Sequence, residues 1–198
     1  MLSLFYERTN DYFTMDMYQA KDRLALIYRT QNWNYYQSFG MSANIPFSIG
    51  GWLSSQVNAT VVNDRNRCDN FWDIPFDRKK WACMLGMQNH FSVGSSLGFD
   101  LDAMYRSSMI SGISDTKPVF TVNVGAQWNF LKDKATLSLT CSDLFDTMRM
   151  KVRNRYAGQH IDLNMGQYSR TVSVKFVYRF GGSISKEKKE VDASRFGR

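Results

Sequence analysis

The chain has 198 residues and a formal net charge of +7, and its length fits one domain. Hydrophobic residues make up 43% and aromatics 15% of it, which excludes a disordered tail or a low-complexity array. Three cysteines do not build a disulfide framework, and no apolar run is long enough for a transmembrane helix. The start, Met1-Leu2-Ser3-Leu4-Phe5-Tyr6-Glu7, has no basic region leading into an apolar core, so it does not read as a secretory signal.

Charge placement says more than charge number. Residues 30–63, 81–99 and 118–131 contain no Asp, Glu, Lys or Arg. Ser, Asn, Gln and Gly alternate there with apolar residues. Such segments fit either a wet lumen backed by lipid or a sandwich with a neutral surface.

Period-two alternation predicts strands near 2–7, 12–18, 23–30, 34–46, 51–63, 79–91, 95–107, 119–130, 134–156 and 168–180. Phe39, Met41, Ala43, Ile45 and Phe47 oppose Ser38, Gly40, Ser42 and Asn44. Leu53, Val57, Ala59 and Val61 oppose Ser54, Gln56, Asn58 and Thr60. Leu97, Phe99, Leu101 and Ala103 oppose Gly98, Asp100 and Asp102. The clearest run is Phe120, Val122, Val124, Ala126, Trp128 and Phe130 against Thr121, Asn123, Gly125, Gln127 and Asn129. At about 3.3 Å per residue and a tilt of about 45°, that run spans about 25 Å, the height of the apolar band on an outer-membrane barrel. Leu137, Leu139 and Cys141 oppose Ser138 and Thr140, and a bend is expected at Asp143-Leu144-Phe145-Asp146. Val172, Val174, Phe176, Tyr178 and Phe180 oppose Thr171, Ser173, Lys175 and Arg179.

The links 19–22, 47–50, 92–94 and 131–133 are short, whereas 64–78, 108–118 and 157–167 are longer and richer in charge. Short and long links are expected at opposite strand ends, as in bacterial outer-membrane barrels. Trp33, Tyr35 and Tyr36, Trp52, Trp81, Trp128 with Phe130, and Phe176 with Tyr178 and Phe180 sit near strand ends and read as interface girdles. Residues 181–198, with Lys186-Glu187-Lys188-Lys189-Glu190, read as a mobile charged tail beyond a barrel segment at 1–180.

The last part of the chain carries a resemblance. Leu137-Ser138-Leu139-Thr140-Cys141-Ser142-Asp143-Leu144-Phe145-Asp146-Thr147 resembles the "LSLxVxDLFNT" strand near the end of TonB-dependent receptor barrels. Arg170-Thr171-Val172-Ser173-Val174-Lys175-Phe176-Val177-Tyr178-Arg179-Phe180-Gly181 is similar to their terminal strand. Segment 36–60 shares the texture of outer-membrane β-barrel proteins of this receptor-like family. The resemblance implies an all-β fold: an antiparallel meander of about ten strands forming a transmembrane β-barrel, open or partial if the chain is a fragment. It implies a C-terminal barrel segment of an outer-membrane nutrient-uptake receptor, with Phe176, Tyr178 and Phe180 as the barrel-assembly signal. The expected partners are outer-membrane lipid, the barrel-assembly machinery, the parent's earlier strands and plug, and TonB through the parent. A complete small ten-stranded outer-membrane barrel, structural or enzymatic, and a soluble ligand-binding β-barrel are the alternatives.

No chemistry stands out against this. His90, Asp100 and Asp102 share the polar parity, but His90 lies beside the short link 92–94, and outer-membrane proteases work at the other end. With Asn123, Gln127, Lys175 and Arg179 they are read as polar lumen residues, Asp100 and Asp102 pairing with cations such as Lys175 and Arg179. Cys68, Cys83 and Cys141 have no metal-ligand spacing. No catalytic residue, metal or cofactor is expected. The basic residues form no single stripe, so nucleic acid is not an expected partner.

Overall fold

The computed structural model describes residues 1–180 apart from 72, 157–158 and 167. The proposed tail at 181–198 lies outside the described residues. Among those described there are twelve strands and no helix. They are β1 (Leu2–Gln19), β2 (Leu26–Ile49), β3 (Leu53–Phe71), β4 (Ile74–Val93), β5 (Leu97–Arg106), β6 (Ile110–Ser111), β7 (Ser114–Thr116), β8 (Val119–Phe130), β9 (Ala135–Ser142), β10 (Met150–Asn154), β11 (Ile161–Met165) and β12 (Thr171–Tyr178). Eight form one antiparallel meander in the order β1-β2-β3-β4-β5-β8-β9-β12. The sheet is open, so β1 and β12 each have a strand neighbour on one side only. The other four make a small sheet, β11-β10-β7-β6.

Cross-strand register turns the sequence alternation into two faces. Val93, Leu97, Trp128, Leu137 and Phe176 stand side by side on five strands. Above them run Phe91, Phe99, Ala126, Leu139 and Val174. Between these two apolar rows lies a polar row on the opposite face: Ser92, Gly98, Gln127, Ser138 and Lys175. The apolar side chains do not gather into a core. Val174 is 70% and Phe176 61% exposed, and Phe99, Trp128 and Leu139 are exposed with them. Val122 is buried, at 8%, where the turn after β9 crosses it and Leu144 N–H donates to its carbonyl at 2.8 Å. A sheet with one continuous apolar face and one polar face suits a wall between lipid and water.

Aromatic pairs mark the edges of this band. Trp52 stacks on Phe91 at 6.2 Å and Trp128 on Phe130 at 4.7 Å near the end with the short turns. Phe39 meets Trp81 edge-on at 5.3 Å near the other end.

The strands are longer than a bilayer requires. β1 to β4 have 18, 24, 19 and 20 residues, whereas a tilted strand crosses the hydrocarbon in about 9–11. The surplus stands above the band. Here the sequence expectation needs revision. The pairs predicted at 2–7 with 12–18 and at 23–30 with 34–46 are each one strand. Asp11, at φ 49°, leaves the β1 ladder for a single residue, which broke the alternation. In the stretch 64–78, expected to be a loop, residues 64–71 and 74–78 are the paired tops of β3 and β4. The link at 20–25 therefore falls at the same end as 107–118 and 143–170, and only 50–52, 94–96 and 131–134 form the opposite end. The expected bend after β9 is present, with Asp143 at φ 45° and Asp146 at φ 54°.

Parity makes a direct prediction. Val174→Lys or Leu139→Arg should lower stability in lipid vesicles by about 2–4 kcal/mol, while Ser173→Lys, on the polar face, should change it by less than about 1 kcal/mol. Urea unfolding followed by tryptophan fluorescence would read both, and equal effects from the two faces would contradict the assignment.

Candidate functional site

The polar face forms a continuous wall. Its central row is Ser54, His90, Asp100, Gly125, Thr140 and Ser173, contributed by six strands. Asp102 stands between Gln88 and Asn123 in the next row. Gln127 and Lys175 share the row below, at opposite ends of Gln127-Ser138-Lys175. Arg179 lies beyond β12 and donates to the carbonyl of Asp133 at 3.2 Å.

Within this wall His90 and Asp100 come together. They are directly opposite on β4 and β5, and His90 Nδ1 lies 2.7 Å from Asp100 Oδ1. Glycines make room for the pair: a Cβ on Gly98 would sit 3.0 Å from the His90 ring, and one on Gly125 would sit 3.4 Å from Asp100. The expected partners of Asp100 were Lys175 and Arg179. The partner in the structure is His90, because Ser173 rather than Lys175 shares its row and Arg179 is engaged at the lower turn. Both side chains of the pair are 52% exposed. A half-open cavity of about 330 Å³ lies over them, lined by Ser54, Gln56, Gln88 and Asp102 among others. Neutral hydrogen bonds, Asn44 to Asn58 at 2.7 Å and Thr136 to Asn129 at 2.9 Å, continue the wall.

Among the polar residues that break parity and face the apolar side, two bond to each other. Ser55 and Asn89 are opposite each other and buried. The Ser55 hydroxyl donates to Asn89 Oδ1 at 2.8 Å, and Asn89 Nδ2 donates to the Leu101 carbonyl at 3.1 Å. Each satisfies the other, as a polar group beside hydrocarbon must. Sequence reading left them unassigned, although their place in odd-numbered apolar runs was a visible signal.

The upper end is covered. β6 and β7 fold back onto β4, where Arg78 donates to the Ile113 carbonyl at 2.6 Å and to Asp115 at 2.8 Å. Lys80 also reaches Asp115, at 2.8 Å, and Ser108 at 2.7 Å. Lys80 shares the parity of His90, so this cover lies on the polar side. Beneath it Trp33, Cys68, Phe71, Phe76 and Ile113 form a buried cluster flanked by Tyr12 and Tyr156, so Trp33 is a core residue above the band and not the girdle aromatic expected from sequence. Cys68 is thus apolar filler in β3 rather than a loop residue, while Cys83 and Cys141 are partly exposed on the apolar parity.

Segment 143–170 arches over the same region. Asp143 anchors its start by accepting from Thr147 N–H at 3.0 Å, Met148 N–H at 2.9 Å and the Ser169 hydroxyl. At its far side the Tyr156 hydroxyl donates to the Pro75 carbonyl, and Gln159 Oε1 accepts from Gln19 N–H at 2.8 Å. The last loop therefore links the β9–β12 end of the sheet to β4 and β1.

Phe176 and Tyr178 lie on the apolar face of β12, and Phe180 follows directly. Phe176 is 6.3 Å from Phe130, and Tyr178 is 4.6 Å from Phe180.

Asp115 controls the cover electrostatically. Burial pushes its carboxyl up, but hydrogen bonds and charge from Lys80 and Arg78 outweigh this and hold it below the usual carboxylate range. A folded value below the unfolded one, about 3.9, means that the contribution is complete above that pH and is lost as pH falls through the lowered value. Protease resistance of 107–118 should thus be unchanged from pH 7 to 5 and fall below about pH 4. Asp115→Asn should loosen the cover at pH 7 by about 1 kcal/mol, allowing for solvent screening, or roughly fivefold in cleavage rate. Unchanged resistance in the variant would show that the ion pairs do not hold it.

Comparison with known proteins agrees with this architecture. The sequence matches the outer membrane protein beta-barrel family over residues 1–178. No curated protein and no solved structure matches it. An apolar face on one side of an antiparallel meander, a polar wall on the other, and a match over almost the whole chain lead to one conclusion: the chain belongs to the outer membrane protein beta-barrel family.

Proposed function

We propose that this outer-membrane barrel chain is the barrel segment of a TonB-dependent receptor-like transporter that takes up a nutrient ligand. The observation that supports the reading is the polar wall itself. Its residues are mostly small and neutral, among them Ser54, Gly125, Thr140 and Ser173, and they include the acid–base pair His90–Asp100. An eight-stranded barrel is just wide enough for its side chains to fill it. A wall with so little filling suits a wider barrel, closed by further strands on the edges of β1 and β12 and large enough to hold a plug. The resemblance of 137–147 and 170–181 to receptor barrels points the same way. In this reading the wall has no catalytic role, and His90–Asp100 is part of a hydrogen-bond network lining the passage.

The test uses the protein in its native outer membrane. Formaldehyde cross-linking in energised cells should capture TonB, and the mature polypeptide should contain a plug by mass spectrometry. Uptake of the receptor's nutrient should stop when a protonophore collapses the proton-motive force. A mature protein without a plug, giving no TonB adduct and protonophore-insensitive uptake, would overturn the proposal.

The end of β12 has a second role in this account. Its free edge can add to another strand, and alternate aromatics can supply specificity for the barrel-assembly machinery. Phe180→Ala and Tyr178→Ala in the native protein should reduce surface assembly several-fold, with little change in the stability of molecules already folded. Normal assembly of both variants would leave these aromatics as interface anchors only.

A further inference from the structure

The outer surface of β1 to β4 carries an arrangement that transport does not use. Tyr6, Phe39, Asn63 and Trp81 stand side by side as the upper aromatic row of the apolar face. Two residues higher, in register on the same face, stand Arg8, Gln37, Arg65 and Lys79. The row above that is Asn10, Tyr35, Arg67 and Asp77. Two residues on a strand tilted about 45° raise the basic row about 5 Å above the aromatic one.

Arg8, Arg65 and Arg67 are held in place in this patch. The Arg8 guanidinium lies 4.3 Å from the centre of the Tyr35 ring, and that of Arg65 lies 5.7 Å from it. Arg8 Nε also donates to Asn10 at 3.0 Å. Asp77 pairs with Arg65 and Asp69 with Arg67. Arg8 and Lys79 are exposed and have no ion pair among the described residues. They sit at the two ends of the row, three strand spacings or about 14 Å apart. Longer loops face the cell exterior in bacterial barrels, which puts this height at the outer leaflet. Among the strands of the large sheet, β1 to β4 are those that extend above the aromatic row, so the patch occupies one sector of the wall.

We propose that this row, centred on Arg8 and Lys79, binds the phosphates of a phosphorylated glycolipid headgroup in the outer leaflet. Aromatic rings fix the depth at the hydrocarbon boundary, and the cations meet the anionic groups just above it. The separation of Arg8 from Lys79 suits a headgroup carrying more than one phosphate rather than a single small anion. The site needs only the barrel in its membrane.

The test is glycolipid binding to the full chain purified from outer membranes in mild detergent, read by native mass spectrometry. A bisphosphorylated glycolipid should bind at least tenfold more tightly than its dephosphorylated counterpart. Arg8→Gln/Lys79→Gln should weaken the phosphorylated form roughly tenfold and leave the dephosphorylated form unchanged. Lys134→Gln, at the opposite end of the barrel, should bind as the unsubstituted chain does. Heat-modifiable gel mobility would establish that each variant is folded. Equal binding of the two glycolipids, or wild-type binding by the folded double variant, would overturn the proposal. Full displacement of the glycolipid by millimolar inorganic phosphate would also overturn it, leaving a site for free anions.

Discussion

A backbone N–H or C=O in hydrocarbon has no water to bond. That constraint accounts for the shape of this chain more than any single side chain does. Helices and paired strands can satisfy it, and the sequence, with a period of two and no long apolar run, selects strands. Each strand of the large sheet then pairs with its sequence neighbour or across a loop excursion, so the ladders from β1 to β12 are continuous. The same rule reaches side chains: Ser55 and Asn89, turned toward the apolar side, bond each other and the Leu101 carbonyl.

Given paired strands, the two solvents separate by parity. Leu97, Phe99 and Leu101 share one face and Gly98, Asp100 and Asp102 the other, so a single strand meets both lipid and water. The apolar face gains from lipid what a soluble protein gains from a core. The buried apolar cluster is accordingly not in the membrane band but above it, where no lipid is at hand and Trp33, Phe71, Phe76 and Ile113 escape water by packing against one another. Above the band the chain returns to ordinary soluble-protein physics, with ion pairs at Asp115 and a small sheet of its own.

This division explains what could be read from the residues alone. Strand class, facing and the bend after Ser142 follow from alternation and from the Asp-rich turn, and both were legible. The upper halves of β1 to β4 were not. Above the band both faces meet water or a loop, so Asn10-Asp11-Tyr12 and Arg65-Asn66-Arg67 lose the apolar-polar rhythm and resemble loop. The cover was hidden for a related reason: Arg78, Lys80 and Asp115 are far apart in sequence, and only the fold-back of β6 and β7 joins them. On the polar wall, parity placed His90, Asp100 and Asp102 on one face. It did not identify the partner of Asp100, because register decides that, and register depends on turn geometry across several strands.

The central claim is that one sheet divides lipid from water residue by residue along β5. Spin labels placed singly from 97 to 105, after the native cysteines are replaced by serine, would test it in lipid vesicles. Collision rates with oxygen, which concentrates in lipid, should peak at 97, 99, 101 and 103. Rates with a water-soluble nickel reagent should peak at 98, 100, 102 and 104. Two profiles alternating out of phase are the predicted result. Low access to both reagents at the odd positions would mean that these residues fill a protein core, and would contradict the account.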